Sequence, residues 1–166
     1  MPKALERTRG ADAGFSQRYR LFSPANSLAA SRRVLFHQAE EWFGGFPEWT
    51  RLLAGNEVSS ERFILINAVG LFLITFWTLA AFREPRMAWI VASVATILGL
   101  NGVLHALASV LLGRYSPGTT TGVLLSLPLS VIVLRASVAG LPRAQVFGAV
   151  LAGVLLHGVV TYLALV

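Results

Sequence analysis

Apolar residues run along this chain in long stretches separated by short polar breaks, a pattern that predicts helices rather than strands. Four stretches read as membrane spans: about Ser60 to Phe82, Met87 to Leu112, Thr120 to Leu134 and Ala144 to Val166. The breaks between them are Arg83-Glu84-Pro85-Arg86, the turn Gly113 to Gly118, and Arg135 to Arg143, read as a loop. An earlier segment, Leu28 to Phe43, is shorter and more polar, with Arg32 and Arg33 in its first turns. It reads as a helix crossing most of the bilayer. Gly44-Gly45-Phe46-Pro47 ends that helix, and the chain from there to Ser60 reads as a polar loop. Trp42, Phe46 and Trp49 fit an aromatic belt at the interface. Pro128 predicts a kink, and Gly148, Gly153 and Gly158 predict close contacts for the last helix. The expected fold is therefore all-α: a polytopic membrane bundle of five helices over residues 21–166, its first helix short and polar. A flexible basic cytoplasmic tail, residues 1–20, precedes it.

Composition supports lipid as the solvent. Only 13% of the 166 residues are charged and 55% are hydrophobic, whereas soluble domains carry about 25% charged residues. The net charge of +6 reads as positive-inside arginines, because no long basic run stands out. Nucleic acid is accordingly not an expected partner, and the lipid bilayer is. With the N-terminus cytoplasmic, Arg83, Arg86, Arg135 and Arg143 join the basic tail on the inner side. The absence of cysteine excludes disulfides, thiolate ligands and thiol nucleophiles.

The chemistry is concentrated in a few polar residues. His37, Glu40 and Glu41 stand at i, i+3 and i+4, on one side of the first helix, where burial is costly unless each group finds a partner. The two glutamates cannot point identically, so one is expected to ligate or act as base while the other orients a histidine or faces water. Asn101 and His105 form a polar strip one turn apart on the third helix, Met87 to Leu112. His157 lies on the last helix and Asn67 on the second, Ser60 to Phe82. Five crossings would place His105 about 25 Å and His157 about 20 Å from the inner ends of their helices, and His37 about 10 Å below the outer end of its own. All three histidines can then meet in the outer half of the membrane. Glu61, at a helix start, reads as an outer-surface charge.

This set predicts a divalent-metal site with His37, Glu41, His105 and His157 as ligands. Glu40 and Glu41 are the candidate catalytic carboxylates, and Asn67 and Asn101 the supporting hydrogen-bonders. Three histidines and a carboxylate favour zinc, over iron or manganese, which the same donors also suit. The spacing is not that of H-E-x-x-H, and no phosphate-binding glycine loop or nucleophile elbow is present.

On His37-Gln38-Ala39-Glu40-Glu41-Trp42, Pro47 and Trp49, Asn67, Asn101-x-x-x-His105, and Tyr115-x-Pro117-Gly118 with Thr121, the chain resembles the HXXEE-motif family of small bacterial membrane proteins. The resemblance implies a shared membrane architecture and a bacterial inner-membrane location, and supplies neither substrate nor reaction. The leading expectation is a membrane-embedded metal-dependent hydrolase or non-haem oxidoreductase acting on a lipid-like or small apolar substrate. A proton relay or transporter, and a structural protein with polar interhelical pairs, are the alternatives. Glycine-rich helix faces leave a homo-oligomer open.

Overall fold

The computed structural model describes residues 24–165, so the tail expected over residues 1–20 lies outside the described residues. Among those described there are six helices rather than five. They are α1 (Pro24–Phe43), α2 (Phe46–Ala54), α3 (Ser60–Arg83), α4 (Ala88–Leu112), α5 (Thr119–Gly140) and α6 (Arg143–Leu165). A single 3₁₀ turn, Pro85–Met87, joins α3 to α4. Helices α3 to α6 are each long and apolar enough to cross a membrane, which makes the chain an integral membrane protein of all-α architecture.

The additional helix is α2, in the stretch read as a polar loop. Gly45 takes the left-handed conformation (φ 75°), Pro47 falls in the first turn where its missing N–H costs nothing, and Gly55 (φ 81°) ends the helix. Thr50 fastens it. Its hydroxyl is fully buried, donates to the Pro47 carbonyl at 2.6 Å, reaches the Asn56 carbonyl at 3.1 Å, and accepts from Val58 N at 3.0 Å. A second correction concerns α5, which continues to Gly140 instead of stopping near Leu134. Residues 135–139 contain no breaker, and the break falls at Leu141-Pro142.

Helix α4 is the centre of the bundle. Half of its apolar window is buried, against 11 to 22% for the other three spans. Small residues let its neighbours approach. An added Cβ on Gly102 would stand 2.6 Å from the Gly122 carbonyl oxygen of α5, and one on Gly99 would meet the Ser130 hydroxyl at 2.3 Å. On α6 only the middle glycine of the expected three is used this way. An added Cβ on Gly153 would lie 2.6 Å from Thr96 Cβ, whereas Gly148 and Gly158 have open space around them.

Helix α1 runs antiparallel to α3. Ser31 bonds Thr75 at 2.9 Å, the Gln38 side-chain amide donates to the Asn67 carbonyl at 2.9 Å, and the Trp42 ring meets Phe63 at 5.6 Å. These pairs keep one register along α3 from Phe63 to Thr75. Val34 of α1 completes a core cluster with Val94 and Leu98 of α4. Helix α1 thereby carries Ser31, His37 and Glu41 against the bundle while Arg32, Leu35, Phe36 and Phe43 remain exposed.

Helix α5 opens on Gly118 (φ 100°) and passes through a π-helical stretch, Gly122–Ser126, directly before Pro128. Proline lacks the N–H that would continue the α-helical ladder and crowds the carbonyl four residues back, so a widened turn just ahead of it relieves both demands.

Candidate metal centre

Two imidazoles and one carboxylate meet where α1, α4 and the start of α5 converge. His37 and Glu41 lie one turn apart on α1, with His37 Nε2 at 3.4 Å from Glu41 Oε1. His105 arrives from α4 and places its own Nε2 3.1 Å from the same oxygen. All three side chains are buried, at 6 to 8% of their full exposure. One ligating atom from each lies within 4.8 Å of the others. The rings of His37 and His105 stand edge to face, 5.2 Å apart, and the Phe46 ring of α2 covers His105 at 5.5 Å.

The far nitrogen of each ring is held by a hydroxyl. His37 Nδ1 is 2.8 Å from Thr121 Oγ1, and His105 Nδ1 is 3.0 Å from Ser116 Oγ. A hydroxyl can either accept an Nδ1–H or donate to a bare Nδ1. An ion at the cluster would need the first arrangement, with the Nε2 lone pair free, whereas the His105 Nε2–Glu41 Oε1 hydrogen bond at 3.1 Å places a proton on Nε2. The Asn101 amide nitrogen is 2.5 Å from His37 Nε2 and donates to its lone pair, a contact that an ion bound there would have to displace. Gly118 lies across both rings: an added Cβ would fall 2.9 Å from Cε1 of His37 and 2.9 Å from Cε1 of His105. Only a glycine fits that cradle, both for the space and for its positive φ.

The neighbouring glutamate is employed differently. Adjacent residues on a helix point about 100° apart, and Glu40 turns away from the imidazoles toward the start of α5. Its Oε1 accepts from Thr120 N at 3.0 Å, from Gly118 N at 3.2 Å and from the Tyr115 hydroxyl. Its Oε2 accepts from Thr121 N at 2.7 Å.

Of the residues singled out in the sequence, His37, Glu41 and His105 therefore come together, and Asn101 touches His37. His157 is buried on α6 but is not in the group of converging ligand atoms. Asn67 bonds the Phe63 carbonyl of its own helix at 3.0 Å and lends its carbonyl to Gln38, which ties α1 to α3. Glu61 is exposed at the first turn of α3. The sequence reading did not single out Ser116, whose hydroxyl is fully buried against His105. The signal for it was its place inside the Tyr115-x-Pro117-Gly118 turn, where a serine is otherwise unremarkable.

Residues 29–133 match the family described as proteins of unknown function with an HXXEE motif. The chain belongs to the HXXEE family. The match covers every residue of the converging cluster and both hydroxyls that hold it, and ends before α6 and His157. The residues that name the HXXEE family are here His37, Glu40 and Glu41, so the motif supplies one imidazole, one cluster carboxylate and one carboxylate bound to backbone amides. No curated protein and no solved structure matches the chain.

Proposed function

We propose that this protein is a membrane-embedded metal-dependent enzyme whose ion is held by His37 Nε2, His105 Nε2 and Glu41 Oε1. The observation that carries the reading is the convergence of two hydroxyl-anchored imidazoles on one buried carboxylate oxygen. Two histidines and a glutamate, with a further position open, form a donor set suited to catalytic zinc. Iron or manganese accept the same donors. Such an ion would supply Lewis acidity and a water of lowered pKa. His157 is retained as the candidate fourth ligand. Glu40, with both oxygens bonded to the start of α5, has no contact that supports a base role.

A lipid-like or small apolar substrate fits the surroundings. A lateral groove of about 400 Å³ is lined by Arg62, Leu65 and Ile66 of α3 with Tyr162 and Leu163 of α6. It lies where α3 begins and α6 ends and shares no lining residue with the cluster, so a substrate entering there would have to pass between the helices to reach it. The reaction class is hydrolytic with zinc, or oxidative with iron. We place the protein in the bacterial inner membrane with its N-terminus cytoplasmic and the cluster toward the outer leaflet.

A second reading has its own support. Thr121 bonds His37, and Ser116 and Glu41 both bond His105, while His37 Nε2 lies 3.4 Å from the same Glu41 oxygen, which is what interhelical polar pairing alone would produce. Elemental analysis of detergent-purified protein separates the two. Near-stoichiometric zinc, iron or manganese that is lost in folded His37→Ala, His105→Ala and Glu41→Gln variants supports the metal site, and His157→Ala reports whether α6 contributes. Protein that stays metal-free after reconstitution with all three ions overturns the enzyme reading and leaves the structural one.

A further inference from the structure

Glu40 commits both carboxylate oxygens to four donors of one short segment: Tyr115 Oη, Gly118 N, Thr120 N and Thr121 N. That segment also carries the two hydroxyls bonded to the cluster imidazoles, Ser116 to His105 and Thr121 to His37. The segment is secured elsewhere as well, since Ser116 N donates to Ser109 Oγ at 2.9 Å and Thr119 Oγ1 donates to the His105 carbonyl at 3.1 Å. Those ties reach back to α4 alone. Apart from the Thr121–His37 bond itself, the four hydrogen bonds of Glu40 are what fasten the segment to α1, the helix that bears His37 and Glu41. A carboxylate suits this place because three of its four donors are backbone N–H groups at the opening of a helix, where unpaired amides and the helix dipole favour an anion.

We infer that Glu40 is a positioning residue that orients His37 and His105 together, by gripping the 115–121 turn whose two hydroxyls fix their Nδ1 atoms. The two glutamates of the motif then have separate tasks: Glu41 lies among the imidazoles, and Glu40 sets the frame that aims them. The functional consequence rests on the metal-site reading above, whereas the geometric claim does not need a metal.

The test uses the full chain, metal-free, with ¹⁵N-labelled histidine in detergent micelles. Long-range ¹H–¹⁵N spectra distinguish Nδ1–H from Nε2–H imidazoles, and single histidine substitutions assign the three residues. The native protein is expected to show a single tautomer, not a mixture, for each of His37 and His105. Glu40→Gln, which keeps the shape but turns an NH₂ toward amide donors, should convert both residues to tautomer mixtures and leave His157 in place. Thr121→Val should disturb His37 alone, and Ser116→Ala should disturb His105 alone. Zinc affinity should fall at least tenfold in Glu40→Gln, with partial recovery in Glu40→Asp.

Unchanged His37 and His105 signals in Glu40→Gln would overturn the inference. So would a shift shared equally by all three histidines, which marks general loosening, and so would hydroxyl variants that do not separate the two rings. Should Glu40→Gln not fold, Tyr115→Phe removes one of the four donors, and an absence of change at both imidazoles there counts against the inference. Native protein that binds no zinc while Glu40→Gln still moves both rings defeats the metal reading and leaves the positioning role intact.

Discussion

Gly118 is the position where the site has least room. Its φ of 100° is one that side chains rarely adopt, and an added methyl would strike both imidazole rings. Gly118→Ala is expected to cost about 1–3 kcal/mol from backbone strain alone. It should also weaken zinc binding, because relief of the contact moves the rings that aim at Glu41. Denaturant unfolding and zinc titration of the same preparation would check both effects, and native-like values in each would refute the cradle. The sequence already pointed to His37, Glu41 and His105 as chemistry, since ionisable groups among apolar neighbours are few and the i, i+4 pair is local. It could not show that Gly118 and Thr121, about eighty residues further on, lie against His37. Serine, threonine and glycine are ordinary components of membrane helices, and only three-dimensional adjacency separates a histidine's partner from another seam residue.

Helix α2 was hidden by its own proline. Phe46, Trp49, Leu52 and Leu53 repeat at helical spacing, but Gly44-Gly45 and Pro47 read as a break, and the polar residues between suggested a loop. Both inferences are sound locally, since the same residues that end α1 also start α2. What converts the stretch to a helix is Thr50, a buried hydroxyl bonded to three backbone groups. Thr50→Val keeps the shape and strands those groups, at a cost of about 1–3 kcal/mol. Hydrogen exchange should accelerate at Val58 and through α2, with the amides of α4 unaffected; uniform acceleration would show that Thr50 matters to the whole bundle instead. The four apolar spans were legible because lipid demands long uninterrupted helices. Their glycines were not, because a gap for a neighbour and open space facing lipid carry the same residue. Gly153→Leu should therefore disrupt the α4–α6 seam, whereas Gly148→Leu should be tolerated, with thermal stability in detergent as the readout.

The whole molecule is asymmetric along its length. Buried polarity in the half containing the starts of α4 and α6 consists of hydroxyls such as Ser93, Thr96 and Ser137, set among Ala92, Val94, Ala95 and Leu98. The imidazoles and carboxylates lie in the other half. The orientation can be read directly because the chain has no cysteine to remove. A single cysteine at Asn56 should react with an impermeant thiol reagent in intact cells, and one at Val138 only after lysis. The reverse pattern would invert the topology. From Ala88 to His105 is about 25 Å of helix, and α4 carries no carboxylate or imidazole between them. A proton or ion approaching from that end would meet hydroxyls but no ionisable side chain of α4 before the cluster. The cluster would then sample a single compartment, so in sealed vesicles it should take up zinc from one side of the membrane and ignore the other.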